Sequence, residues 1–230
     1  MFFLACSEQV VNEDDLVSNI SISKTELLAN GADVSTVKVF FNKDAKVSLI
    51  KLEVEVNNGT IIENGTKKIE LVPEENLEGE ISAEFNLRSS TIVADHVIDF
   101  KVDKYLLERT IVSNRSNPAS VAISSSAFSV QNNFDSEITL EALLSNENGG
   151  KVSNGIKARF VDTFLDGTPV NGRFRQESLS SNSDSKVSAV YSPGLIEPNQ
   201  NIMVTVELLD DSGNPIGISG SIEIYVDEID

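Results

Sequence analysis

The two halves of this chain repeat one another, and each half alternates apolar and polar residues with a period of two. That pairing is a severe constraint, because a period of two fits half-buried strands and rejects helices, while self-similarity implies one module used twice. Ile20-Ser21-Ile22-Ser23 aligns with Val121-Ala122-Ile123-Ser124, 101 positions on. The same offset carries Leu27 onto Phe128, Ser35 onto Ser136, Val37 onto Ile138 and Val39 onto Leu140. After a longer stretch in the second copy, Asn146-Glu147-Asn148-Gly149-Gly150, the offset becomes 106. Ile50-Lys51-Leu52 then meets Ile156-Lys157-Ala158, Val54 meets Phe160, and Ile81-Ser82-Ala83-Glu84-Phe85 meets Val187-Ser188-Ala189-Val190-Tyr191. Ile98 and Phe100 fall on Val204 and Val206. An insertion confined to a turn, with strands held in order, is what a duplicated domain shows.

Within each copy the alternation is direct. Val37, Val39 and Phe41 share a face opposite Lys38, and Leu52, Val54 and Val56 oppose Glu53 and Glu55. Ile138, Leu140, Ala142 and Leu144 do the same against Thr139 and Glu141. One apolar and one polar face per strand marks antiparallel sheets with a single buried side. Asn30-Gly31, Asn58-Gly59, Asn64-Gly65, Asp166-Gly167, Pro193-Gly194 and Ser212-Gly213-Asn214-Pro215 supply turns at sandwich spacing. Only Glu74-Glu75-Asn76-Leu77-Glu78, after Pro73, admits even one helical turn. The expected class is all-β: two tandem immunoglobulin-like β-sandwiches of about seven strands each. Residues 18–114 form the first domain and 115–230 the second, joined near Asn114-Arg115-Ser116-Asn117-Pro118-Ala119. With no Trp and no Cys pair, the cores rest on aliphatic residues plus Phe41, Phe85, Phe100, Phe128 and Phe160.

Composition narrows the function. There are 36 acidic side chains against 18 basic, a formal charge of −18, and only one Cys and one His. A lone Cys excludes an internal disulfide, and the ligand set excludes a Cys/His zinc site. Such a surface repels nucleic acid. No run of 18 apolar residues is present to span a membrane. Catalysis, a cofactor and a small-molecule substrate are not expected.

Met1-Phe2-Phe3-Leu4-Ala5-Cys6 is an apolar run that ends at the one Cys, with Glu8, Glu13, Asp14 and Asp15 following. It resembles the end of a bacterial lipoprotein signal, whose lipobox closes on a small residue and a lipidated Cys. The resemblance implies cleavage before Cys6, lipid on Cys6, export, and anchoring to a membrane of the cell envelope. The run is shorter than a usual signal core, so residues 1–17 read as a truncated signal and lipobox followed by an acidic tether.

The stretch from Ile22 to Phe41, with Ala29-Asn30-Gly31-Ala32-Asp33-Val34-Ser35-Thr36-Val37 at its centre, resembles the opening of bacterial Ig-like domains of invasin- and intimin-type adhesins. Val54-Glu55-Val56-Asn57-Asn58-Gly59-Thr60 is similar to a later strand and Gly-Thr turn of that family. The family's Asp-x-x-Gly-Asn-Pro turn is missing after the second strand, though Asp210-Asp211-Ser212-Gly213-Asn214-Pro215 stands near the end. The resemblance implies a surface stalk or an adhesive module, with a protein or extracellular-matrix partner. A glycan-binding surface lipoprotein and an accessory module of a secreted hydrolase system are the alternatives.

Few residues suggest chemistry. His96 shares strand parity with Ile98 and Phe100, away from Asp95 and Asp99, which leaves it without a catalytic partner. Asp210-Asp211 with Asn214, and Asp227-Glu228 with Asp230, are acidic clusters without a calcium-loop spacing, joined only through the fold by Asp103 or Glu108. The Tyr residues, Tyr105, Tyr191 and Tyr225, are scattered, which disfavours sugar stacking. The second copy alone carries Phe164-Leu165-Asp166-Gly167-Thr168-Pro169-Val170 and then Arg173-Phe174-Arg175. This triplet is the candidate binding edge: either an exposed Arg–Phe–Arg surface, or a strand with Phe174 inward and both Arg outward.

Overall fold

The computed structural model describes residues 16–42, 51–102 and 105–228. Cys6 and the tether through Asp15 lie outside the described residues, as do Asp103 and Asp230. Contacts divide the chain into two compact units: Met1–Leu27, Asp33–Ser89 and Ala94–Ser113 in one, and Leu28–Ala32, Ser90–Val93 and Asn114–Asp230 in the other.

Strands β1 (Val17–Ile22), β2 (Glu26–Leu28), β3 (Val34–Phe41), β4 (Leu52–Val56) and β5 (Thr60–Ile61) open the chain. They are followed by β6 (Lys68–Leu71), β7 (Glu74–Glu75), β8 (Ile81–Arg88), β9 (His96–Val102) and β10 (Tyr105–Asn114). One sheet is ordered β1-β3-β8-β5 with β7 added beside β8, and the other β2-β10-β9-β4-β6. The second set is β11 (Ser120–Ser125), β12 (Ser129–Gln131), β13 (Ile138–Ser145), β14 (Lys157–Phe164), β15 (Arg173–Ser178), β16 (Lys186–Ser192), β17 (Gln200–Leu209) and β18 (Pro215–Asp227). Its sheets are β11-β13-β16-β15 and β12-β18-β17-β14. The surplus over seven strands per sandwich consists of pieces such as β5 and β7, two residues long.

Alternation decides the packing. In β3, Val37, Val39 and Phe41 turn inward with Ser35, and the hydroxyl of this buried Ser accepts from Lys24 N (3.1 Å) and donates to Lys24 O (2.9 Å). Its sequence counterpart Ser136 is half-buried and bonds differently, its Oγ accepting from Gln131 N at 3.0 Å. Phe85 and Phe100 meet across the first core with ring centroids 6.3 Å apart. The second core gathers Ile138, Leu140, Phe160, Tyr191, Val204 and Val206.

The repeat is visible in the sheet registers. Val37 faces Phe85 and Val39 faces Ala83; their counterparts Ile138 and Leu140 face Tyr191 and Ala189. Val54 faces Phe100, just as Phe160 faces Val206.

Three expectations change. Ile20 faces Val39, whereas Leu140, the counterpart of Val39, faces Ser125, so the first strand sits four residues from where the self-alignment puts it. Phe128 is not a core residue: it is 73% exposed, and Val130 takes the buried place held by Leu27 in the first unit. Residues 74–78 form a hairpin, not a helical turn. The β7–β8 connection is closed by Asn76 N to Glu80 O (2.9 Å), with Asn76 Oδ1 accepting from the Glu78 and Glu80 amides.

Candidate functional site

Strand β15 is the edge of its sheet, with Arg173 opposite Ser192, Phe174 opposite Tyr191 and Arg175 opposite Val190. Period-two geometry sends Phe174 inward, where its ring centroid lies 5.8 Å from that of Phe160 and 4.8 Å from that of Tyr191. Arg173 and Arg175 turn outward and share the Glu137 carboxylate: Arg173 Nη2 lies 3.8 Å from it, and Arg175 pairs with it directly. Arg173 Nη2 also donates to Phe134 O at 2.7 Å, and its guanidinium sits 5.3 Å from the Phe134 ring centroid.

The aromatic ring this surface offers is therefore Phe134, not Phe174. Phe134 is 44% exposed and leans on Gly194, where an added Cβ would come within 2.7 Å of the ring. Leu195, the next residue, is 75% exposed. Nothing in the alternation marks Phe134, which lies in the loop between β12 and β13. An aromatic, an aliphatic and two arginines grouped at a loop-rich end have the composition of protein-contact hot spots. They include no nucleophile.

A buried polar contact fixes the start of β15. Asp162, only 8% exposed, accepts from Tyr191 Oη (2.8 Å) and from Gly172 N (2.7 Å) on the same Oδ2. Burial, reinforced by the Asp162 charge and hydrogen bond, pushes the Tyr191 phenol far above the ordinary tyrosine range. A Cβ on Gly172 would stand 2.6 Å from Asp162 Oδ2 and 2.7 Å from the Tyr191 ring, so this position requires glycine. Just before it, the segment from Phe164 to Val170 is a hairpin held by Phe164 N to Thr168 O (2.8 Å) and by Asp166 Oδ1, which accepts from Thr168 N and Oγ1. Its tip exposes Leu165, while Val170 returns to the core.

The remaining candidates are structural in geometry. His96 is fully buried, with Nδ1 3.0 Å from the Asn58 carbonyl, out of reach of any substrate. Asp210 closes the β17–β18 hairpin, accepting from Asn214 N at 2.8 Å, and that amide holds its carboxyl below the usual range. Asp227 Oδ1 accepts from Glu228 N. Among the described residues no three His, Cys, Asp or Glu side chains come together as metal ligands. Tyr225 is partly exposed, its hydroxyl donating to Asn199 Oδ1 at 3.0 Å. Among the same residues no helix is long and apolar enough to cross a membrane.

No family model matches the chain, and no curated protein matches it in sequence. Among solved structures, invasin, described as a bacterial integrin-binding protein, is 15% identical over 90% of this chain and 38% of its own, with a TM-score of 0.62. The Yersinia pseudotuberculosis adhesin InvE is 14% identical over 94% of this chain and 61% of its own, at a TM-score of 0.49. The D0–D1 domains of intimin align over 91% of this chain at 15% identity and a TM-score of 0.33. The chain thus spans less than two thirds of the invasin and InvE structures. Likeness at such identities speaks to fold, and the invasin match carries it. In fold the chain is two successive immunoglobulin-like β-sandwiches, similar to those of the invasin structure.

Proposed function

We propose that this chain is a non-catalytic cell-envelope module, anchored by lipid on Cys6, whose Ig-like units serve as a stalk or a protein-binding adhesive surface. The observation that carries the reading is the fold shared with invasin. Support comes from the end of the second unit, where Arg173 and Arg175 stand beside the exposed Phe134 and Leu195. Arg173, Phe174 and Arg175 divide the work: the two arginines meet the partner, and Phe174 anchors their strand from inside. The partner class is a protein or the extracellular matrix. The test is capture of the purified chain on immobilised matrix proteins, comparing wild type with Arg175→Glu and Leu195→Asp. Capture lost in both variants, with an unchanged circular dichroism spectrum, supports the assignment. Capture that survives both removes this surface from the function.

A further inference from the structure

The first unit contains a shallow, largely open depression of about 650 Å³. It is lined by Ser18, Asn19, Phe40, Asn42, Glu78 and Glu80, with Phe41 behind. Among the described residues, three elements build it. Phe40, on the outward face of β3, has Asn19 of β1 opposite it on one side and Ser82 of β8 on the other. The β1–β3 register shifts between Val17 and Asn19, so a bulge falls at Ser18, a device that re-aims side chains beside sites. The hairpin tip fixed by Asn76 forms the wall that carries Glu78 and Glu80. Among the described residues, the side chains of Ser18, Asn19 and Glu78 have no hydrogen-bond partner, although all three line the concavity. Lys38 bonds Glu80 at 2.8 Å and lies 4.7 Å from the Phe40 ring centroid, which steadies both.

We infer that this depression is a binding site for a neutral saccharide chain. Hydroxyl-rich rings need what it offers together: an aromatic floor for C–H faces, an amide that both donates and accepts, and a carboxylate that accepts from hydroxyls. The charge selects within that class. Glu80 is compensated by Lys38, and it is Glu78, in a chain of net charge −18, that repels sialylated or uronic-acid glycans. The site is separate from the arginine-bearing surface of the second unit, so the two assignments stand or fall independently.

The test uses the full chain with four neutral trisaccharides as probes: chitotriose, cellotriose, maltotriose and laminaritriose. Binding is followed by NMR chemical-shift perturbation, with sialyllactose and spermidine as charged controls. The expected result is saturable shifts at Asn19, Phe40 and Glu78 with at least one neutral probe and none with the controls. Glu78→Ala and Asn19→Ala each remove an exposed polar group, leave folding intact, and weaken binding about tenfold or more. Phe40→Leu removes the floor as well. Absence of shifts with all four neutral probes at millimolar concentration overturns the assignment. So does saturable binding of spermidine or sialyllactose in their place, or binding unaffected by both polar variants.

Discussion

Asp162, Tyr191 and Gly172 show how one buried polar contact can orient an exposed strand. Phe174 is inward because β15 starts at a fixed point, and that point is Gly172 N on Asp162 Oδ2. Tyr191→Phe deletes a donor to a buried carboxyl, and should cost about 1–3 kcal/mol of stability, read from the denaturant midpoint. Gly172→Ala forces a methyl against Asp162 and Tyr191 and should cost about as much by overpacking. The pH dependence has a definite sign. The phenol of folded Tyr191 holds its proton to a higher pH than in the unfolded chain. Its stability contribution is therefore complete below the ordinary phenol pKa of about 10 and declines as pH rises beyond it. Urea midpoints measured from neutral to strongly alkaline pH should fall more steeply in wild type than in Tyr191→Phe. Equal slopes would mean that another group governs the alkaline limb.

At the scale of the strand, the sequence was readable wherever two copies could be compared across a paired register, and ambiguous where a strand could slide by an even number of residues. Val37 with Phe85 and Ile138 with Tyr191 occupy equivalent pairs, which fixes the central strands. The first strand slid by four and the second by two, and both slips preserve the alternation of faces, so period alone cannot detect them. Leu27 and Phe128 were matched on that basis, yet Val130 fills the core and Phe128 faces solvent. The contrast is measurable. Val130→Asp buries a carboxyl without a partner and should destabilise by roughly 3 kcal/mol or more. Phe128→Ser should change stability by no more than about 0.5 kcal/mol. If the two variants behave alike, the placement of β12 is wrong. The proposed contact surface was partly readable for a related reason. Arg173 and Arg175 stood out as paired charges in a chain poor in them, but Phe134 and Glu137 join them only through the fold, 36 to 41 positions away in sequence.

The whole molecule sets a problem of attachment, because its charge works against the surface to which it is assigned. Anionic leaflets attract polybasic segments and repel a chain of −18, so electrostatics cannot hold it at a membrane. On the proposed reading anchoring rests on acyl chains alone, and one such chain is marginal where two or more are stable. Cys6 is the one thiol able to carry lipid, which makes the expected effect of its loss complete instead of graded. In cells expressing the chain, the proposed anchor predicts that labelled palmitate enters the wild type and that the protein sediments with membranes. Cys6→Ala should lose both the label and the membrane fraction. Arg175→Glu, which alters only the proposed contact surface of the second unit, should keep both. Labelling that persists in Cys6→Ala would refute the anchor. Release without any labelling of the wild type would point to a protein partner at the envelope as the means of attachment.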